Sequence, residues 1–363
     1  MSAKLKTFIS NYRLHIIVYS LLFTLSGGIS YIVANKSKIS SASPRTKIAQ
    51  VVQPVNAPPP SPTPTSVPFK ELTIPYLRNR QYVSTITNMN VVADKGSFTA
   101  YTASYDSDGN KVNGYLTIPN TEMPEGGWPA VVFVHGYIPP TIYKTLVNYV
   151  SYADYLAKNG LVVFKIDLQG HGESEGKAFG AYYSGNYVID TLNAYSALRK
   201  LPSVNPDKVG LWGHSMGGNV TFRSFVAKNI PKLAIWAGAV YTYEDLQEFR
   251  IDDNSYRPPV DQSERQRFRD MLFAQHGSFD PASQYWQQVV PTNHLDGLTG
   301  SVQIHHAVDD NVVNIDYSRN LIKILDSSGV DNQLIEYSAG SHNLTGASFT
   351  QAMEASAKFL SQY

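Results

Sequence analysis

Short apolar segments alternate with amphipathic ones through most of the chain after residue 98. The first two predicted strands, near 98–105 and 112–118, are separated by the turn sequence Asp-Ser-Asp-Gly-Asn. The later strands are apolar on both faces, and segments of helical period lie between them. These strands cover residues 130–134, 161–167, 208–212, 233–239, 302–306 and 333–337. Such strands, each followed by a helix, are typical of a mainly parallel sheet covered on both faces, so the pattern predicts an α/β fold.

The alternation of strands and helices is interrupted between residues 241 and 298. This stretch contains the segments YTYEDLQEFR and QYWQQ and several arginines, but no convincing strand. Its position after a strand of the parallel sheet predicts a lid over the carboxyl ends of the strands. An ordinary surface insertion is the alternative.

The N-terminal residues have a different pattern. Residues 1–13 form a charged tail, and residues 14–35 contain no Asp, Glu, Lys or Arg. A run of this length is just enough for a helix to span a bilayer, so it predicts an uncleaved transmembrane anchor. A cleaved signal peptide, with Lys4, Lys6 and Arg13 as its basic region, is the alternative.

Residues 36–68 form a linker that is rich in Ser and Pro and ends in NAPPPSPTPTSVP. So much proline excludes a helix or a paired strand and predicts an extended spacer. The whole organisation predicts a folded domain over residues 69–363, anchored to a membrane and on its extracytoplasmic side. If the signal peptide is cleaved, the same domain is secreted.

Composition narrows the possible functions. The chain has 363 residues, of which 43% are hydrophobic, and this is enough for one large core. Its 30 Lys and Arg balance 29 Asp and Glu, so nothing in the charge indicates a nucleic-acid partner. The absence of cysteine from the sequence excludes disulfides, thiolate metal sites and a cysteine nucleophile.

Two pentapeptides fit Gly-x-Ser-x-Gly, one centred on Ser215 and the other on Ser174. A nucleophile elbow needs a strand directly before the motif and a helix directly after it. The predicted strand 208–212 precedes Ser215, and the segment after that serine begins a helical pattern. Ser174 has neither neighbour. The sequence therefore predicts Ser215 as the nucleophile.

A serine nucleophile needs a histidine base and an acid that orients the base. In the fold that carries this elbow, the chain order is serine, acid, histidine. Among nine histidines, only His342 follows the segment where the acid is expected, so His342 is the predicted base. Asp309 and Asp310 both follow the strand 302–306, and the spacing favours Asp309. Asp310 is the alternative, with a turn or N-cap as its other possible role.

Two backbone N–H groups are expected to form the oxyanion hole. Met216, directly after the nucleophile, supplies one of them, and Tyr137, in the loop after the strand 130–134, is the candidate for the other. His135, His171 and His214 are interpreted as structural hydrogen-bonding residues.

Five sequence blocks follow one another in a familiar order: VVFVHGY, D-x-x-G-H-G-x-S-x-G, GHSMGG, HHAVDDNV and YSAGSHN. In this order the chain resembles the prolyl oligopeptidase catalytic domain (peptidase family S9) and related dienelactone-hydrolase-like and acyl-peptidase-like proteins, over about residues 70–363. The resemblance implies an α/β-hydrolase fold with Ser215, Asp309 and His342 as the catalytic triad. His306 and Val313 stand where the family usually has Gly and Pro. This implies a different shape for the loop that carries the acid Asp309, called the acid loop below.

The residues and the resemblance together predict a membrane-tethered serine hydrolase that forms an acyl-enzyme and needs no cofactor or metal. His305 and His306 are adjacent, but no third ligand is spaced to complete a metal site with them. By resemblance, the substrate is a short peptide or an aminoacyl bond. A carboxylesterase acting on small or lipid-like esters is the alternative. A catalytically inactive hydrolase fold that serves as a binding module is an alternative from another class, although the filled triad positions argue against it.

Overall fold

The computed structural model describes residues 68–251 and 263–363. The charged tail, the proposed anchor at 14–35 and nearly all of the linker lie outside the described residues, as does a part of the predicted lid. Within the described ranges, no helix has both the length and the apolar character needed to cross a membrane.

One sheet of nine strands organises the described residues, in the order β1-β2-β3-β5-β4-β6-β7-β8-β9. In this order, the pairs β1-β2, β2-β3 and β3-β5 are antiparallel. The remaining five pairs, from β5-β4 to β8-β9, are parallel. This confirms the mainly parallel sheet that the apolar strands predict. The strands are β1 (Ile86–Asp94), β2 (Phe98–Ser107), β3 (Asn110–Pro119), β4 (Trp128–Val134), β5 (Val162–Ile166), β6 (Val204–His214), β7 (Lys232–Trp236), β8 (Ser301–Ala307) and β9 (Asn332–Tyr337).

Helices cover both faces of the sheet. Because successive side chains of a strand point to opposite faces, Val132 and Val134 enter one hydrophobic cluster while Val131 and Phe133 enter another. Residues of α1, α3, α4 and α8 join the first cluster, and residues of α2 and α9 join the second. The helices are α1 (Ile74–Asn79), α2 (Val150–Lys158), α3 (Asn186–Leu198), α4 (Met216–Lys228), α5 (Tyr243–Phe249), α6 (Ser263–His276), α7 (Gln284–Val289), α8 (Asp316–Ser327) and α9 (Ala347–Ser361), with short 3-10 helices at Lys70–Leu72 and Pro291–His294.

Several strands differ from the predicted ones. The strand β6 is longer at both ends than the predicted 208–212, and β7 ends at Trp236 and not at residue 239. The strand β1 lies at the sheet edge with most of its residues exposed, so it lacks the apolar alternation that marks the others. The strand β8 extends to Ala307, one residue beyond the predicted end. In the insertion between β7 and β8, the described residues form the helices α5, α6 and α7 and no strand.

Candidate active site

Ser215 occupies a sharp turn between β6, which ends at His214, and α4, which begins at Met216. Its backbone has φ of 53° and ψ of −119°, a conformation that non-glycine residues rarely adopt. Strained conformations of this kind concentrate at functional sites, where the surrounding structure holds them. The local geometry is that of a nucleophile elbow, as the strand and helix around this serine predict.

The glycines of the motif let this turn lie close to its neighbours. A Cβ on Gly217 would lie 2.4 Å from the carbonyl oxygen of Val134, and a Cβ on Gly213 would lie 2.4 Å from that of Gly217. Both distances are shorter than any real Cβ contact. The elbow can therefore pack directly against the end of β4, from which the loop with Gly136 and Tyr137 begins.

Ser174, the centre of the other pentapeptide, has a structural position. Its Oγ accepts a hydrogen bond of 2.9 Å from the backbone N–H of Asn113 in β3, and its own N–H donates to the carbonyl of His171 at 2.9 Å. The segment after β5 is thereby fastened to the neighbouring strand.

His342 is held by Asp310, whose Oδ2 lies 2.8 Å from Nδ1 of the imidazole. The expectation that Asp309 holds His342 is wrong. The side chain of Asp309 is exposed, and its Oδ1 accepts a hydrogen bond of 2.8 Å from the backbone N–H of Ser341. Because β8 ends one residue later than predicted, the side chain of Asp310, and not that of Asp309, reaches His342.

Asp310 is buried among groups that stabilise its charged form. Its Oδ1 accepts hydrogen bonds from the backbone N–H groups of Val312 and Val313 at 2.8 and 3.0 Å. Burial by itself raises the pKa of Asp310, but the hydrogen bonds from His306, His342 and Val313 outweigh it and hold the pKa well below its usual value. The carboxylate is therefore ionised at neutral pH and can orient a base.

His306 supports the acid, a role that nothing in its sequence position indicates. It is fully buried, with Nε2 at 3.1 Å from Oδ2 of Asp310 and 3.0 Å from the carbonyl of Val313. Both partners can only accept, so Nε2 carries the hydrogen, and Nδ1 faces the Oγ of Ser318 at 2.7 Å. The imidazole that replaces the usual glycine therefore fastens the acid loop to α8.

His214 links the elbow to the base. Its Nε2 lies 2.9 Å from the carbonyl of His342, and its Nδ1 lies 2.6 Å from the hydroxyl of Tyr149, which accepts from the N–H of Gly136 at 3.1 Å. Burial, with His342 nearby, lowers the pKa of His214 to about 3, so the ring is neutral. Its Nε2–H therefore donates to His342, and the hydroxyl of Tyr149 donates to Nδ1. No pattern in the sequence marks Tyr149.

His135 and His171 have the structural positions that the sequence analysis gives them. His135 is fully buried, with its ring nitrogens 2.7 Å from the carbonyl of Gly136 and 3.1 Å from that of Asp167. Nδ1 of His171 lies 3.3 Å from the carbonyl of Gln169. Burial lowers the pKa of both rings, to about 3 for His135 and about 4 for His171.

A cavity of about 970 Å³ brings together the predicted nucleophile, base and oxyanion-hole residues. Ser215, Met216, Tyr137 and His342 all line it. Met216 is the first residue of α4, where backbone N–H groups have no partner within the helix and the helix dipole favours negative charge. The oxyanion roles of Met216 and Tyr137 stay predictions. Met216 directly follows the serine in the chain, and Tyr137 lines the same cavity.

The insertion between β7 and β8 forms part of the same cavity. Its described residues contribute Leu246, Arg250, Ile251 and Arg265 to the lining. Tyrosines from other segments form much of the remaining wall: Tyr137, Tyr149, Tyr152, Tyr182 and Tyr183. The described part of the insertion therefore lines the cavity, and its role as a lid stays a prediction.

Residues 129–249 match a family model described as serine aminopeptidase, S33. A thiohydrolase named aneE from Aspergillus aculeatus is 31% identical over 111 residues, which cover 31% of this chain and 32% of that protein. The chain spans about a third of the length of the curated relatives it matches.

Solved structures with a similar fold include both peptidases and esterases. A puromycin-hydrolysing peptidase of Mycobacterium tuberculosis has a TM-score of 0.57 and 20% identity, and the match covers 74% of this chain and 40% of that one. Acetyl xylan esterase 1 of Thermoanaerobacterium sp. has a TM-score of 0.54 and 16% identity, with coverage of 79% and 90%. At these identities the likeness establishes the fold, which is that of the α/β-hydrolases.

Proposed function

We propose that this chain, a serine hydrolase of the α/β-hydrolase superfamily, cleaves small acyl esters through a covalent acyl-enzyme. The observation that carries the proposal is the meeting of three features in one place. Ser215 stands on a strained elbow, His342 lines the same cavity, and the buried carboxylate of Asp310 lies 2.8 Å from the Nδ1 of that histidine.

In the proposed mechanism, His342 is the base that activates the nucleophile. Asp310 accepts the hydrogen of Nδ1, which leaves the lone pair of Nε2 to take the proton of the Ser215 hydroxyl. As that proton moves, Oγ attacks the carbonyl carbon of the ester. The imidazolium that forms is stabilised by the Asp310 carboxylate, whose low pKa keeps it charged.

The negative charge on the former carbonyl oxygen is bound by backbone N–H groups. Met216 and Tyr137 are the proposed donors, with the N-terminal end of α4 adding its dipole. The protonated His342 then gives its proton to the leaving alcohol, and the carbon–oxygen bond of the ester breaks. In the second half of the reaction, His342 takes a proton from a water molecule, whose oxygen attacks the acyl carbon. His342 then returns the proton to Oγ of Ser215, so the carboxylic acid is released and the serine hydroxyl is restored.

We favour acyl esters over peptides with a free N-terminus because of the side chains around the cavity. A carboxylate is the strongest partner for an N-terminal ammonium, and no Asp or Glu is among the described residues that line the cavity. A peptidase acting on short peptides or aminoacyl bonds is the second candidate, since the matched family model is that of a serine aminopeptidase. Of the compared structures, one is named as an esterase and the other as a peptidase.

Turnover of matched substrates tests this function. The wild-type chain should hydrolyse para-nitrophenyl butyrate well above the Ser215→Ala variant, while aminoacyl para-nitroanilides stay near the Ser215→Ala background. Anilide turnover that exceeds ester turnover would replace the esterase by the peptidase. Loss of both activities in a folded wild type would remove the catalytic proposal.

We also propose that residues 14–35 anchor the domain to a membrane, with the catalytic domain on the extracytoplasmic side. The support is the run of 22 residues without Asp, Glu, Lys or Arg, followed by a proline-rich spacer. Membranes that carry the full chain should retain it on alkaline extraction, and deletion of 14–35 should release it. A shortened, soluble product from the full chain would instead indicate a cleaved signal peptide.

A further inference from the structure

Among the described residues that line the cavity, the permanently charged side chains all have one sign. Apart from the histidines, Arg250 and Arg265 are the charged side chains among the described lining residues. Neither forms an ion pair with a carboxylate in the described ranges. Arg80, Arg199, Arg269 and Arg319 all do so elsewhere on the surface.

Arg265 lies among aromatic rings. Its guanidinium carbon is 5.9 Å from the ring centre of Tyr137, and its Nε would lie 3.1 Å from a Cβ placed on Gly180. Tyr182 and Tyr183 also lie close enough to interact with its charge. A contact with aromatic rings does not by itself use the N–H donors of a guanidinium.

The tyrosines around Arg265 do not neutralise it. Burial raises the pKa of Tyr182 to about 12, and the charge of Arg265 opposes this shift. Burial also raises the pKa of Tyr183, and the charges of Arg269 and Arg265 oppose that shift. These phenols therefore carry no charge at neutral pH. The carboxylate of Asp310 is already shared between His306 and His342, beneath the cavity wall.

We infer that the cavity selects ester substrates that carry a free carboxylate, which Arg265 binds with Arg250 as a second cation. This inference rests on the proposed function and names its substrate class. A planar guanidinium can bind a carboxylate through two parallel hydrogen bonds, and such charge-assisted bonds are the strong ones. Tyr137 connects the two parts of the site, because it lies beneath the guanidinium of Arg265 and next to Gly136 in the proposed oxyanion loop.

Paired substrates test the inference and show which side of the ester carries the carboxylate. On the acyl side, mono-para-nitrophenyl glutarate is compared with para-nitrophenyl valerate, which differs only in its terminal group. On the alcohol side, para-acetoxybenzoate is compared with para-tolyl acetate. In at least one pair, the carboxylate should raise kcat/KM by about tenfold or more, and added salt should reduce that gain.

Substitution of Arg265 gives the specific control. Arg265→Gln should remove the preference, so that within this variant the two esters of a pair differ by less than about threefold in kcat/KM. Arg269→Gln is the matched variant, because Arg269 lies one turn later on α6, pairs with Asp270 at 3.1 Å and does not line the cavity. It should keep the preference.

Labelling with a fluorophosphonate separates failure of this inference from failure of the proposed function. Wild type and Arg265→Gln should both react with a neutral fluorophosphonate, and wild type alone should react faster with one whose chain ends in a carboxylate. Equal rates for the neutral and anionic reagents, together with no ester preference in either pair, would overturn the inference while the hydrolase stands. No labelling of the folded wild type would overturn both.

Discussion

Oδ2 of Asp310 lies 2.8 Å from Nδ1 of His342, and the same oxygen faces Nε2 of His306 at 3.1 Å. One carboxylate oxygen therefore holds the proposed base on one side and a buried imidazole on the other. Because His306 also contacts α8 through Ser318, the acid is fixed from within the fold and not only by its own loop. The position of the base depends on this arrangement.

Exchange of each aspartate for asparagine should separate their roles. Asp310→Asn removes the charge that stabilises the imidazolium and should lower kcat by about 10³-fold to 10⁴-fold. Asp309→Asn, the matched control, changes an exposed side chain whose contact is a backbone N–H, so activity should stay within about threefold. Ester turnover measures both effects. A larger loss with Asp309→Asn would return the role of the acid to that residue.

The hydroxyl of Tyr149 should act as a positioning group. Tyr149→Phe removes the link between the N–H of Gly136 and Nδ1 of His214, so kcat should fall by about tenfold to a hundredfold with little change in KM. The control is Tyr152→Phe, whose hydroxyl makes only a long bond of 3.4 Å to the carbonyl of Asn343. If both variants lose activity equally, the effect lies in the shape of the cavity and not in the hydrogen-bond link.

The close approach at Gly217 should be intolerant of even one methyl group. Gly217→Ala would place a Cβ 2.4 Å from the carbonyl of Val134, so the elbow or β4 must shift. The free energy of unfolding should fall by about 1–3 kcal/mol, and reaction with a fluorophosphonate should slow. Gly329→Ala has no neighbour within 4 Å of its Cβ, although its φ is +70°, and should cost about 1 kcal/mol without affecting labelling. Normal labelling of Gly217→Ala would contradict this view of the elbow.

Buried neutral histidines should make the fold sensitive to acid. Burial is the largest cause that lowers the pKa of His135, His214 and His305 to about 3 and that of His171 to about 4. In the unfolded chain these rings titrate near 6.5, so the unfolded state binds protons that the folded state does not. Their stabilising contribution is therefore complete above about pH 6.5 and is lost as the pH falls below it.

Urea unfolding at a series of pH values measures this loss. The free energy of unfolding should decrease by up to about 1.4 kcal/mol per pH unit for each histidine as the pH falls from about 6.5. His171→Gln should show a shallower dependence, because one fewer ring can take up a proton on unfolding. A free energy of unfolding that stays constant from about pH 7 to about pH 5 would contradict the neutral state of these rings.

Most of the fold and the nucleophile could be predicted from the sequence. Buried parallel strands are apolar on both faces, and Ser215 lies between such a strand and a helix, so local patterns locate both. The strand β1 could not be found in this way because its exposed residues leave no apolar alternation. His342 follows from chain order, a rule that does not depend on the length of any strand.

The acid could not be chosen from the sequence because the choice depends on one residue of strand length. With β8 ending at Ala307, Asp310 turns inward and Asp309 outward, and a strand one residue shorter favours the opposite assignment. Tyr149 and His306 also act through contacts between distant segments. Nothing in their local sequence indicates the partners that the fold brings to them.

The central claim is that Ser215 is an activated nucleophile, and labelling of the full chain with a fluorophosphonate tests it most directly. The wild type and Ser174→Ala should both be labelled, Ser215→Ala should not, and mass spectrometry should locate the adduct on Ser215. A folded wild type that does not react, or a Ser215→Ala variant that keeps its label, would contradict the account.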